Sequence, residues 1–312
     1  MTRTRLLLDP WPAEFESALP LEDAGPEVPV DATVETRVWE AVPAPPASPA
    51  TLRFVDGVRR VEARVLLERE GRLVHGLFGS LAAGCVQCGP ERAVFTETAV
   101  ERYLVLGDGE RRDARIGGVD FAGFAAAGNS PPEVLAALQN LMRTREAALA
   151  ERLADTGPVF ADGPLTYFSD PRTPVAGIVK RISAPYLPPE QFALTATLAP
   201  AARTPVFLIL DPHNERYSWY LRVATGRRID HPLAGIVRVE VRAGVGVDTA
   251  CRVADFSAAQ LPRCASTPLR DPRAPQNLLP VGALEEELRR RLGDPIALRR
   301  AIERHLAEEA AA

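Results

Sequence analysis

Alternating apolar and polar positions between residues 52 and 107 predict an antiparallel meander of strands. The first strands lie in TLRFVDGVRRVEARVLLEREGRLVHGLFGSLAAGCVQ, and a further one lies in RAVFTETAVERYLVLG. Turn signals separate or end these strands at Asp56-Gly57, Glu70-Gly71-Arg72 and Gly107-Asp108-Gly109. Because short hairpins build antiparallel sheets, we expect these strands to be neighbours in one sheet.

A long helix is predicted after this meander, in PEVLAALQNLMRTREAALAERLA, where apolar residues recur every three or four positions. Asn129 or Ser130 can cap it, and two prolines suit its first turn. Glu146 lies four residues after Met142 and three before Leu149, in the middle of the apolar face. A carboxylate at such a position must lose water, which is unfavourable unless an arginine or a metal ion compensates for the loss.

The second half of the chain alternates strand and helix patterns. Strands are predicted in GPVFADGPLTYF, TPVAGIVKRI, TPVFLILD, YSWYLRVA and LAGIVRVEVRAG, and helices in PPEQFALTATLA, VDTACRVADFSAAQ and the tail from Val281, where Pro295 starts a second segment. Residues 1–50 are acidic and rich in proline, and we interpret them as an N-terminal arm, either a partner-binding segment or a poorly ordered extension. Residues 51–312 then form one mixed α/β domain with a central sheet flanked by helices.

Composition excludes several classes of protein. The chain has 312 residues, of which 46% are hydrophobic and 25% charged, and its net charge is −4. These values are typical of a globular protein and not of a disordered, fibrous or strongly basic nucleic-acid-binding chain. We see neither a run of about 20 apolar residues that would span a membrane nor a signal-peptide pattern. Four cysteines do not make a disulfide scaffold, so we expect a cytoplasmic protein.

Two features of the composition concern particular residues, the lone lysine and a close pair of cysteines. Of the 37 lysines and arginines, only Lys180 is a lysine, so it is a candidate for a site that needs a compact ammonium group, the alternative being chance. Cys85 and Cys88 form a CxxC pair, but no second close pair accompanies them as in a four-cysteine zinc site. We therefore expect buried thiols at these two positions.

Two Asp-Gly dipeptides follow apolar segments and supply candidate chemistry. Asp56 lies in FVDG and Asp162 lies in FADG, where strand ends place carboxylates at the sheet rim that binds ligands in α/β folds. Asp-Gly is also an ordinary turn dipeptide. Together with Glu146, the two aspartates make an all-oxygen site suited to magnesium or manganese, which supports phosphoryl chemistry. Lys180 then faces the scissile phosphate as a point charge.

The ordered motifs FVDG, an RxxE spacing formed by Arg143 and Glu146, VFADGPL and AGIVKR resemble those of the NurA nuclease family. SWYLRV and LLPVGALEEELRRRLGD extend the resemblance over roughly residues 50–305. The resemblance implies an RNase H-like fold in which Asp56, Glu146 and Asp162 hold Mn²⁺ (or Mg²⁺) and Lys180 matches the family's lysine.

The resemblance also implies an activity and partners. The activity is a manganese-dependent single-strand endonuclease and 5′-to-3′ exonuclease that acts on DNA. The protein would be a homodimer that works with a HerA-type hexameric translocase, an ATPase, in DNA end resection and repair.

Two departures from the family pattern leave alternatives open. Val58 stands where the family has a serine, and Asn277 lies in the region where it has a histidine. An amide cannot act as an acid or base, so His213 or His231 is a possible substitute. One alternative is a weak or inactive scaffold subunit that binds the translocase. Another is an unrelated α/β protein in which Glu146 pairs with an arginine.

Overall fold

A computed structural model describes residues 5–8, 28–180, 182, 185–226, 232–267 and 277–311. The strands are β1 (Arg5–Leu8), β2 (Val30–Asp31), β3 (Val42–Pro43), β4 (Leu52–Arg69), β5 (Arg72–Cys88), β6 (Ala93–Leu106), β7 (Ala114–Ile116), β8 (Val119–Ala125), β9 (Val159–Asp162), β10 (Val175–Val179), β11 (Ala202–Arg203), β12 (Phe207–Ile209), β13 (Arg216–Arg222) and β14 (Ile236–Arg242). The α-helices are α1 (Pro131–Ala154), α2 (Pro189–Thr197), α3 (Val247–Gln260), α4 (Leu279–Arg291) and α5 (Pro295–Ala311).

One mixed sheet organises the described residues, in the order β2-β12-β13-β14-β10-β9-β4-β5-β6-β8-β7. Strands β4, β5 and β6 form an antiparallel meander. Strand β9 lies on the other side of β4 and parallel to it, and β10 lies parallel to β9. A three-strand meander with two parallel strands beside its first strand is the order of an RNase H-like sheet. The predicted mixed α/β sheet flanked by helices is therefore confirmed.

Helices cover both faces of this sheet. Side chains alternate between the faces along each strand, so the apolar residues of one strand pack against helices on both sides. On one face, Phe54 and Val58 of β4 share a core cluster with Leu284 and Leu288 of α4. On the other face, Leu138 and Met142 of α1 pack in a second cluster with residues of β4, β5 and β6. Alternate residues of β4 therefore point toward α4 or toward α1, and this separation decides which carboxylates can meet.

Helix α1 begins as the sequence predicts. The Ser130 hydroxyl accepts a hydrogen bond from the Glu133 backbone N–H, and the Glu133 carboxylate accepts one from the Ser130 backbone N–H at 2.9 Å. This reciprocal capping box satisfies two backbone donors that lie outside the helix ladder, and the prolines at the first positions have no N–H to satisfy.

The predicted turn at Asp56-Gly57 is wrong, because both residues lie inside the continuous strand β4. Gly57 serves packing, since a Cβ at this position would lie 3.0 Å from Met142 Cγ of α1. The turn predicted at Glu70-Gly71 is confirmed, with positive φ angles of 52° and 76° between β4 and β5. The hairpin of β7 and β8 is not predicted by the pattern of apolar residues, since it lies largely in the glycine-rich segment 117–128.

The C-terminal end of α4 is held on the sheet by two arginines. The Arg60 guanidinium donates to the carbonyl oxygens of Leu292 and Gly293 at 3.1 and 2.9 Å, and Arg102 donates to that of Leu292 at 3.0 Å. The buried carboxylate of Glu62 accepts from Arg60 at 3.0 Å, which compensates the cation. Cationic groups at a helix C-terminus are favourable, so this cluster, with Arg60 on β4 and Arg102 on β6, fixes the position of α4 against the sheet.

Within the predicted N-terminal arm, three short strands take part in the sheet. Strand β1 pairs antiparallel with the distal end of β4, β2 pairs with β12, and β3 pairs with β11. Among the described residues, we find no helix with the length and apolar character that crossing a membrane requires.

Candidate metal centre

The parallel pairing of β4 with β9 brings two aspartates together. Val55 and Ala161 are partners in this ladder, so Asp56 and Asp162 are the next residues on the two strands. Both lie on the α4 face, because Phe54 and Phe160, two positions earlier, pack in the cluster that contains α4. The sequence-predicted proximity of these two carboxylates follows directly from strand register.

Glu285 of α4 is the third member of this centre. One carboxylate oxygen each from Asp56, Asp162 and Glu285 lies within 4.8 Å of the others. Gly84 of β5, the ladder partner of Asp56, permits this approach, since a Cβ there would lie 3.0 Å from Leu288 Cδ2. Because Gly84 has no side chain, α4 lies close to the sheet, and Glu285 of α4 therefore lies beside the two aspartates.

Asp56 is the most buried of the three carboxylates, with 4% of its surface exposed. Its Oδ1 accepts a hydrogen bond from the Gly57 backbone N–H at 2.8 Å, whereas its Oδ2 has no hydrogen-bond partner among the described residues. Burial raises the pKa of Asp56 well above its ordinary value, and the neighbouring carboxylates of Asp162 and Glu146 raise it further. Ionised Asp56 therefore requires a cation, and the all-carboxylate donor set fits Mg²⁺ or Mn²⁺.

Lys180, the single lysine of the chain, lies at this centre. It follows directly after β10, whose Ile178 is the ladder partner of Asp162. Its Nζ lies 2.7 Å from both carboxylate oxygens of Asp162 and donates to Asn277 Oδ1 at 2.7 Å. Asn277 is buried, with 1% of its surface exposed. The structure thus joins three of the sequence-predicted candidates in one hydrogen-bonded group.

Glu146 approaches from the opposite face of the sheet. A Cβ at Gly57, which points toward α1, would lie 3.5 Å from Glu146 Oε2. Arg143 bridges the two sides, since its guanidinium donates to Glu146 Oε2 at 3.1 Å and to the Asp162 carbonyl oxygen at 3.0 Å. Glu146 is outside the group formed by Asp56, Asp162 and Glu285. The RxxE spacing therefore forms an ion pair beside the centre.

We expect Glu146 to make the stability of the metal-free protein depend on pH. Burial raises the pKa of Glu146 to about 7 from an ordinary value of 4.5, against the opposing effect of Arg143. The proton is held more tightly in the folded state, so this contribution to stability is complete below the ordinary pKa and is lost as the pH rises through about 7. Relative to Glu146→Gln, the wild type should lose up to about 3 kcal/mol of unfolding free energy between about pH 5 and pH 8.

Urea unfolding in a chelator at a series of pH values measures this difference. Glu308→Gln, at an exposed position of α5, is the matched control, and its curve should run parallel to that of the wild type. A Glu146→Gln curve that also runs parallel to the wild type would contradict the prediction.

The remaining candidates lie as follows. His213 is exposed in the loop after β12, where its backbone N–H donates to Asp211 Oδ1 at 3.0 Å. His231 lies outside the described residues. Cys85 is buried and Cys88 half-buried, both as free thiols, and burial raises the pKa of Cys88 to about 11. Cys85 is therefore the buried thiol that the sequence predicts, and Cys88 agrees with that prediction only in part.

Glu285 is the residue that sequence reasoning missed. Glutamates 285–287 alternate with arginines 289–291, a pattern typical of a solvated, ion-paired face, and this interpretation is correct for Glu287, which pairs with Arg290 and Arg291 at 2.8 and 2.7 Å. Glu285, however, lies four residues after Val281 and three before Leu288, both buried. The spacing that singled out Glu146 on α1 would have found it.

Comparisons with known proteins give a structural similarity but no match in sequence. No family model matches the chain, and no curated protein matches it. Among solved structures, the chain is similar to the crystal structure of the NurA nuclease from Sulfolobus solfataricus, with a TM-score of 0.43 and 13% sequence identity. The similar region covers 71% of this chain and 76% of that chain.

Proposed function

We propose that the protein is a metal-dependent deoxyribonuclease that hydrolyses phosphodiester bonds of single-stranded DNA. The observation that carries the proposal is the centre itself, in which Asp56, Asp162 and Glu285 converge within 4.8 Å beside Lys180. Three converging carboxylates placed next to a lysine suit metal-assisted chemistry on a phosphate anion. The order of the sequence motifs supports the same reading.

The residues of the centre have different roles in the proposed reaction. Asp56, Asp162 and Glu285 would hold Mn²⁺ or Mg²⁺, which when bound supplies activated water and stabilises the departing oxygen. Lys180 would donate from Nζ toward the phosphate oxygens, and Asn277 Oδ1 orients the ammonium group by accepting a hydrogen bond from it. Arg143 and Glu146 position the end of β9 through the Asp162 carbonyl oxygen.

Glu285 and Glu146 are competing candidates for the third metal ligand, and a titration separates them. We expect Glu285→Gln to raise the dissociation constant for Mn²⁺ at least about tenfold, because it removes a ligand from the converging group. Glu146→Gln should change that constant by less than about threefold, because Glu146 lies across the sheet and pairs with Arg143. Calorimetric titration with manganese measures both values.

Glu286→Gln, at the exposed next position of α4, is the matched control and should bind manganese as the wild type does. The reverse order, with the larger loss in Glu146→Gln, would assign the third ligand to Glu146 as the sequence predicts. The activity itself is tested by incubating the chain with a labelled single-stranded oligonucleotide and manganese, and degradation should stop when a chelator is added. A chain that binds manganese and leaves the oligonucleotide intact would contradict the proposed function.

The proposal includes the partners that the motif resemblance implies. We propose a homodimer that acts with a HerA-type hexameric ATPase in DNA end resection, in the cytoplasm. The cleavage activity does not depend on this part of the proposal, because the carboxylates and Lys180 all belong to one chain.

A scaffold subunit is the second candidate function, and Asn277 is the observation that favours it. This amide is bound to Lys180 in the region where the related family carries a histidine, and it cannot exchange a proton with substrate. A scaffold would bind no manganese at millimolar concentration in the titration described above. Tight binding of manganese would exclude this reading of the centre.

A further inference from the structure

A cleft of about 600 Å³ lies beside the metal centre, between α4 and the strand ends of β5 and β6. Its walls include Val86, Phe95, Ser266, Pro280 and, shared with the centre, Asn277 and Glu285. Clefts of this volume are typical of small-ligand sites. Because Asn277 and Glu285 belong to both, the cleft is continuous with the place where the scissile phosphate is proposed to lie.

Ser266 is the feature of the cleft that indicates a ligand. Only 5% of its surface is exposed, and its Oγ has no hydrogen-bond partner among the residues that the structure describes. A buried hydroxyl without a partner is unfavourable, so such groups are normally satisfied by protein, water or ligand. A bound molecule with a polar edge would satisfy it.

The rest of the lining favours a flat, uncharged group. Pro280 supplies apolar surface, and Phe95 is 39% exposed. Of the charged side chains, Glu285 belongs to the metal centre, and Glu286 and Arg289 have opposite charges, so the cleft has no excess positive charge to bind a phosphate. A phosphate is therefore disfavoured inside the cleft itself, and a planar group with hydrogen-bonding edges is favoured.

We propose that this cleft holds the base of an unpaired nucleotide whose phosphate lies at the metal centre. The base would contact Phe95 and Pro280 and satisfy Ser266, while the adjoining phosphate lies toward Lys180. Bases free of a partner expose both their faces and their hydrogen-bonding edges, so recognition of this kind selects single-stranded or extruded nucleotides. The inference rests on the proposed nuclease function and assigns the recognition of the nucleotide to a site next to the chemistry.

Filling the cleft tests the proposal. Ala283 lines the cleft and is exposed on α4, so Ala283→Trp fills the space with little effect on the core. Ala148→Trp, at an exposed alanine of α1 outside the cleft lining, is the matched control. The probes are a labelled short oligothymidylate and the same oligonucleotide built from abasic nucleotides. Binding is measured by fluorescence anisotropy in calcium without manganese or magnesium, and unchanged melting temperatures show that the variants are folded.

The wild type and Ala148→Trp should bind the oligothymidylate at least about tenfold more tightly than the abasic strand, as expected for one stacked base. Ala283→Trp should bind the two strands equally, and Ser266→Ala should reduce the ratio. Equal binding of both strands by the wild type, or an unchanged ratio in Ala283→Trp, would overturn the proposal. Because the assay needs no cleavage, a chain that prefers bases without cutting DNA contradicts the nuclease function alone.

Discussion

Asp56→Asn is expected to abolish cleavage and, at the same time, to make the metal-free protein more stable. The substitution removes a metal ligand, so metal-dependent cleavage of single-stranded DNA should fall by about 10³-fold or more. It also removes a buried carboxylate whose Oδ2 has no partner among the described residues and whose pKa burial raises well above the ordinary value. In a chelator at about pH 8, the unfolding free energy should rise by about 1–3 kcal/mol.

The sign of the pH dependence follows from the raised pKa of Asp56. Its contribution to stability is complete below the ordinary carboxyl pKa of 3.8 and is lost as the pH rises through the higher value in the folded protein. The stability gain of Asp56→Asn should therefore grow with pH. Added manganese should stabilise the wild type but not Asp56→Asn. Asp120→Asn, at a carboxylate with 75% side-chain exposure, is the matched control and should change neither property. Full cleavage by Asp56→Asn would remove Asp56 from the centre.

Lys180→Arg is expected to lower the rate of cleavage by about 10²-fold, although it keeps the charge. The ammonium group donates to Asp162 and Asn277 at 2.7 Å, and 20% of the side chain is exposed. A planar guanidinium is larger and directs its donors in a fixed fork, so it cannot reproduce both bonds and reach the phosphate. Lys180→Ala should lower the rate of cleavage about tenfold further than Lys180→Arg does.

Manganese affinity separates this role from a structural one. Lys180→Ala removes the cation that pairs with Asp162, so it should leave the dissociation constant for Mn²⁺ unchanged or lower it, while kcat falls and KM changes little. Arg290→Lys, an exchange between the same two cations at an exposed position of α4, should leave cleavage unaffected. More than half of the wild-type rate in Lys180→Arg would show that Lys180 is a generic cation.

Local patterns predicted much of the fold, because they act over a few residues. The serine cap and prolines of α1, the apolar period that buries Glu146, and the glycine turn after β4 all rest on neighbours in sequence. The sequence places Asp56 and Asp162 at strand ends and Lys180 on the strand after Asp162, and although Asp56 lies inside β4, the parallel strands do bring the three together. These three positions follow one another across β4, β9 and β10, as parallel strands require.

The errors concern contacts between distant segments. Asp56-Gly57 has the composition of a turn, but Gly57 lacks a Cβ to admit Met142 of α1, which a local pattern does not reveal. Glu285 stands among charged neighbours that indicate solvent. Its inward position depends on Gly84, which lies about two hundred residues earlier and lets α4 approach the sheet.

The order of the metal-centre carboxylates along the chain has a consequence for biosynthesis. The three carboxylates belong to β4, β9 and α4, so the centre is completed only when the ribosome has released residue 285. Until then, the nascent chain has two adjacent aspartates on the sheet but neither the third ligand nor Asn277 to orient Lys180. A chain that ends before α4 would therefore keep both aspartates but lack the complete metal centre, so no partial product of synthesis should have the proposed nuclease activity.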